Sequence, residues 1–209
     1  MKNKIKECGI IPVVKISEID KAERLAESLL RGGINCAEIT FRAERAETAI
    51  DKILNKFPDM MIGAGTVLTV FEAKLAVKAG ARFIVSPGFD KEVVRYALDR
   101  DILVIPGCIT PTEIQKAVKY GLDIVKFFPA EQFGGIRSIK ALAAPFPNIK
   151  FVPTGGITLD NLGEYMKEYS VLACGGTFMV KEELIQKSQW ETISDLSKKS
   201  IEIISEVRR

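Results

Sequence analysis

The chain has 209 residues, 47% hydrophobic and 27% charged, a composition that suits a globular protein with room for one substantial core. Its 30 basic and 27 acidic residues are interspersed and leave a net charge of +3, so no basic block is available for nucleic acid. Histidine is absent, which removes the commonest general base, the Ser-His and Cys-His nucleophile pairs and the usual ligands of catalytic zinc.

No apolar stretch approaches the roughly 20 residues of a membrane span. Cys8, Cys36, Cys108 and Cys174 are far apart in sequence and form no C-x-x-C pair, so neither a disulfide framework nor a structural zinc site is expected. Reduced thiols in a cytoplasmic protein fit this pattern. Any chemistry must run on lysine, carboxylates, hydroxyls and backbone.

After a short N-terminal helix, the first predicted strand is "IIPVVKI" from Ile10, with Lys15 as a strand-end amine. In the second, "CAEITF" from Cys36, Ala37, Ile39 and Phe41 share the parity that suits a helix-facing side. Cys36, Glu38, Thr40 and, beyond them, Arg42 share the other. Glu38 and Arg42 are therefore expected on the inner side near the strand's C-terminal end, as an ion pair or as working groups. "MIGAGTV" from Met61 leads to Thr66, a candidate hydrogen-bond donor, and "RFIVSP" from Arg82 leads to Pro87.

"ILVIPG" from Ile102 precedes "TPTEIQKAVKYG", which carries a full set of helix signals. Thr110 caps, Pro111 suits the first turn, Glu113 completes a capping box and Gly121 stops the helix. The sixth run, "DIVKFFP" from Asp123, sets Lys126 among apolar neighbours. Desolvation disfavours an ammonium and a nearby carboxylate restores it, so Lys126 reads either as a reactive amine or as the partner of Glu38 or Glu131. Lys15, with less enclosing flanks, is the competing amine. "KFVPTGG" from Lys150 and "VLACGG" from Val171 complete the series. Their Gly pairs, with Thr154 and Thr177 as hydroxyl donors, suit a phosphate site or simply tight turns.

About eight apolar runs alternate with helical segments, and a unit of helix, Gly and strand recurs in "AVKAGARFIVSP" and "AVKYGLDIVKFFP". Such alternation predicts an α/β fold, a (β/α)8 TIM barrel over residues 1–209 as one domain, with an open doubly wound sheet as the rival.

The motifs "AEITFRA", "GAGTVL", "SPG", "KFFPAE" and "FVPTGGI", in order between about Ile10 and about Val180, resemble those of the 2-keto-3-deoxy-6-phosphogluconate (KDPG) and 4-hydroxy-2-oxoglutarate (KHG) aldolase family of class I aldolases. The resemblance implies a (β/α)8 barrel, usually a homotrimer, that cleaves a phosphorylated 2-keto-3-deoxy sugar acid to pyruvate and glyceraldehyde 3-phosphate without metal or cofactor. It further implies Lys126 as Schiff-base residue and Glu38 as acid/base. Arg42 and Thr66 would hold the substrate carboxylate, and Pro87 and Phe128 would line the pocket. Gly155, Gly156, Gly176 and Thr177 would bind phosphate. Family members often have Ser where Thr177 stands, so a methyl is added beside the phosphate. Alternatives are the galactonate-epimer aldolase, a non-covalent phosphosugar isomerase or decarboxylase, and an inactive phosphosugar-acid sensor.

Overall fold

A computed structural model describes residues 2–208. It begins with the short helix α1 (Lys2–Cys8), followed by β1 (Ile10–Val14), α2 (Ala22–Arg31), β2 (Cys36–Thr40), α3 (Ala46–Lys56), β3 (Met61–Gly65) and α4 (Val70–Lys78). The alternation continues through β4 (Phe83–Val85), α5 (Lys91–Leu98), β5 (Leu103–Ile105), α6 (Pro111–Lys119), β6 (Ile124–Phe127), α7 (Gly135–Ala143) and β7 (Lys150–Pro153). It ends with α8 (Leu159–Lys167), β8 (Cys174–Gly176), α9 (Glu182–Gln186) and α10 (Trp190–Val207). Each of the eight apolar runs contains one strand.

All the strand pairings are parallel. Six strands form one sheet in the order β5-β4-β3-β2-β1-β8, and β6 and β7 form a second. The expected single ring is thus seen as two ladders. Isolated bridges stand at the joins, Gly107 with Lys126 on one side and Phe151 with Val171 and Thr154 with Gly175 on the other. At the first join, Lys126 N–H donates to Pro106 O and Cys108 N–H to Lys126 O, both at 2.9 Å.

Strands covered on both faces need apolar residues at every position. β1, β2, β3, β4 and β6 are buried along their whole length. The helices add one apolar stripe each, for example Leu25, Ala26 and Leu29 of α2. Phe127 and Phe151 meet edge to face across the β6–β7 pair, with centroids 6.4 Å apart, and each fully buried ring contributes on the order of 1.5–3 kcal/mol. The long α10 packs against α2 and α8. Cys8 and Cys36, distant in sequence, come together as free thiols with sulfurs 2.9 Å apart.

Among the described residues, no helix is long and apolar enough to cross a membrane. Every candidate site residue except Glu38 and Lys126 lies just beyond a strand's C-terminal end or, in the case of Gly176, on its last residue.

Candidate active site

Lys126 is 5% exposed and Glu38 2%, and the lysine Nζ stands 3.4 Å from Glu38 Oε1. Both side chains leave the middle of their strands. Glu38 is in register with Val13 of β1 and Gly63 of β3, and its carboxylate leans over Gly65. A Cβ on Gly65 would lie 2.0 Å from Glu38 Oε1, so a side chain there would push the carboxylate aside. This supporting role was not read from the sequence, although the alternating glycines of "GAG" were its signal. The separation of 3.4 Å exceeds the roughly 2.8 Å of a tight charge-assisted bond, which leaves the amine and the carboxylate both able to address a third group. The Phe128 ring lies 5.3 Å from Nζ and is 38% exposed, forming the outer edge of this pair.

Glu131, the alternative partner for the amine, is engaged elsewhere. It accepts a hydrogen bond from the Tyr165 hydroxyl, and Tyr165 is 2% exposed. Burial first, then the hydrogen bond and charge of Glu131, push this phenol above its ordinary range. Lys15 is likewise committed: it pairs with Glu182 at 2.9 Å, and Ser17 Oγ donates to the same carboxylate at 2.9 Å. Lys15, then Ser17, and more weakly the charge of Arg42, hold Glu182 below the usual carboxylate range.

Arg42 is exposed and follows β2. Among the described residues it forms no ion pair, so its guanidinium is open to an anionic ligand. Thr66 is half-buried and adopts φ 56°, the left-handed region that a β-branched residue enters only under strain. Pro87 is half-buried, and its carbonyl approaches Gly107 so closely that a Cβ there would lie 1.9 Å from it. The structure thus joins Lys126, Glu38 and Phe128 directly, while Arg42, Thr66 and Pro87 share the same end of the strands without touching the amine.

The two Gly pairs also come together. Thr154, 4% exposed, bridges to Gly175, which brings the loop after β7 beside the end of β8. Gly155 and Gly156 adopt φ 96° and 82°. Among the described residues the N–H groups of Gly156 and Thr177 find no protein acceptor, so two donors gather where the two loops meet, while the Thr154–Gly175 bridge turns the Gly155 N–H toward Gly175 O. Free backbone donors in such turns make an anion-binding concavity. Gly176 is buried and Thr177 exposed beside them. A separate cleft of about 480 Å³ lies at the other end of the strands, between the starts of β5 and β6 near Lys2 and Asp123.

The family described as "Aldolase: KDPG and KHG aldolase" matches residues 1–196. A 2-dehydro-3-deoxy-phosphogluconate aldolase of Treponema pallidum is 45% identical over 195 residues, 93% of each chain. One of Haemophilus influenzae is 40% identical over 201 residues, covering 96% of this chain and 95% of the relative. Among solved structures, a KDPG aldolase from Legionella pneumophila, with pyruvate captured at low pH as a covalent carbinolamine intermediate, superposes with a TM-score of 0.91 at 39% identity. That match covers 94% of this chain and 96% of the other.

Proposed function

The chain belongs to the KDPG and KHG aldolase family, and from that premise we propose that Lys126 is its Schiff-base nucleophile and Glu38 its proton-transfer group. It is a class I aldolase, a carbon-carbon lyase. The reaction assigned is cleavage of KDPG to pyruvate and glyceraldehyde 3-phosphate, with KHG cleavage to pyruvate and glyoxylate as a second activity. The observation that carries the assignment is the buried Lys126 amine, 3.4 Å from the buried Glu38 carboxylate.

Breaking a carbon-carbon bond next to a ketone leaves a carbanion, and a covalent iminium delocalises that electron pair. Lys126 Nζ attacks the C2 ketone to give a carbinolamine, and loss of water, with a proton supplied through Glu38, gives the iminium. Glu38, directly or through one water, then takes the C4 hydroxyl proton. The C3–C4 electron pair flows into the iminium as glyceraldehyde 3-phosphate leaves. Protonation of the enamine at C3 and hydrolysis release pyruvate and the free amine. A carboxylate within about one water of the amine can serve every proton transfer.

Around this pair, Arg42 holds the pyruvyl carboxylate by a bidentate pair and Thr66 adds a hydroxyl. Pro87 and Phe128 wall the pocket. Gly155, Gly156, Gly176 and Thr177 receive the phosphate through backbone N–H groups and one hydroxyl. The bridges on both sides of the β6–β7 pair support a closed (β/α)8 barrel, and residues 1–209 form one domain in this reading. A homotrimer, as the resemblance implies, in the cytoplasm, as the dispersed cysteines suggest, completes the assignment, and sedimentation of the purified chain tests the trimer.

Borohydride reduction in the presence of pyruvate tests the nucleophile. The expected result is a reduced pyruvyl adduct on the peptide spanning residues 123–131. An adduct on Lys15, or none at all, overturns the assignment. Pyruvate release from KDPG, its galactonate epimer and KHG, measured side by side, fixes the preferred aldehyde.

A further inference from the structure

Glu131 closes the motif that carries Lys126, yet it has no part in the chemistry above, and Tyr165 is a buried phenol on α8 with no part either. The two meet over Gly135, where a Cβ would stand 2.7 Å from the Tyr165 hydroxyl and 3.0 Å from Glu131 Oε1. From that contact the Glu131 side chain runs beneath Gly156, so closely that a Cβ on Gly156 would lie 2.3 Å from Glu131 Cγ. Gly155 rests in turn on Pro129, its notional Cβ 3.2 Å from Pro129 Cα.

The carbonyls of this loop are all tied back. Thr154 O accepts from Ala130 N–H at 2.8 Å and Gly155 O from Glu131 N–H at 3.2 Å. Gly156 O accepts from Asn161 Nδ2 at 2.9 Å. Three consecutive carbonyls are therefore anchored, the Gly155 N–H faces Gly175 O through the Thr154–Gly175 bridge, and the Gly156 N–H has no acceptor among the described residues. Fixing the peptide planes by their carbonyls is what orients the opposite N–H groups. A carboxylate beside an anion site works against binding by charge alone, so the place of Glu131 calls for a geometric reason.

We propose that Glu131 and Tyr165 are positioning residues for the phosphate grip. They hold the Gly155–Gly156 peptide with the Gly156 N–H toward the substrate phosphate, and so set the preference for phosphorylated over unphosphorylated substrates. The inference rests on the phosphate site assigned above and adds the device that shapes it.

The test compares wild type, Tyr165→Phe, Glu131→Ala and Glu131→Gln. Inorganic phosphate binding is measured by phosphorus NMR, kinetics are measured on KDPG and KHG, and melting is followed to show that each variant folds. In Tyr165→Phe and Glu131→Ala, phosphate affinity falls and KM for KDPG rises, each by about tenfold, equivalent to about 1.4 kcal/mol. The kcat for KDPG is held within about twofold, and kcat/KM for KHG drops several-fold less, because uniform binding of the phosphate is what is lost. Glu131→Gln, whose amide oxygen still accepts from Tyr165, stays near wild type. Equal losses on both substrates, or unchanged phosphate affinity in Tyr165→Phe and Glu131→Ala, overturn the proposal. A wild type that binds phosphate with this variant dependence but does not cleave KDPG removes the functional reading and leaves the positioning role standing. A wild type that does neither removes both.

Discussion

Glu38 and Lys126 are 88 positions apart in sequence and reach each other because each points inward from its own strand. Replacing Glu38 with Gln keeps the shape and removes the proton carrier. Turnover is expected to fall by about 10²–10⁴, while borohydride still traps pyruvate on Lys126, and near-normal pyruvate release would take Glu38 out of its role. Gly65→Ala brings a methyl against the carboxylate, whose Oε1 would lie 2.0 Å away. It should lower kcat more than it raises KM, and unchanged kinetics would mean the carboxylate has no need of that space. Thr66, held at φ 56°, stores strain of the order of 1–3 kcal/mol. Thr66→Gly is expected to raise the urea midpoint modestly and to weaken pyruvate binding, and a lower midpoint would show that the left-handed turn carries no strain. Parity along two short strands put Glu38 and Lys126 on the inner face but left each open as an ion-pair partner, and it was the resemblance that implied their roles. The glycines of "GAG" signalled a close approach at Gly65 without saying to what, and the backbone of Thr66 and the grip of Tyr165 on Glu131 were not legible, because they depend on a dihedral angle and on a neighbour from another element.

At the scale of elements, the helix signals around Thr110 are realised as written. Thr110 Oγ1 accepts from Glu113 N–H at 3.3 Å, and Glu113 Oε2 accepts from Thr110 N–H at 2.9 Å. The same box closes on α4 between Thr69 and Glu72. Thr110→Ala should cost about 1 kcal/mol, read as a lower urea midpoint with an unchanged slope, and a cost near zero would show that Glu113 alone satisfies the helix start. The eight strands were legible because continuous apolar runs between helices have one economical arrangement, a covered parallel sheet. Where the ladders would break was not legible. Apolar runs overstate strand length wherever the chain bends away to a helix or loop, and β4, β5 and β8 each keep only three residues as strand.

Across the whole molecule, buried thiols make alkaline stability a prediction with a definite sign. Burial pushes Cys108 from its ordinary value of 9.0 up to about 12, and burial also raises Cys174. The unfolded chain loses these protons near 9.0 while the folded chain keeps them, so the contribution is full below that pH and is lost as pH rises toward about 12. Each thiol steepens the loss by up to about 1.4 kcal/mol per pH unit. Thermal melts over this range should show Cys108→Ala flattening the alkaline limb, and an unchanged limb would remove the thiol as its cause. The two-ladder arrangement has a further consequence for behaviour under heat. Lys126 makes the join to the β5 side with its own backbone, through Pro106 and Cys108, whereas Glu38 sits in the middle of the six-stranded ladder. Warming that parts this join separates amine from carboxylate while most of the core is still packed. Heat inactivation should therefore precede the calorimetric transition, and the amides of β6 should exchange with deuterium sooner than those of β2.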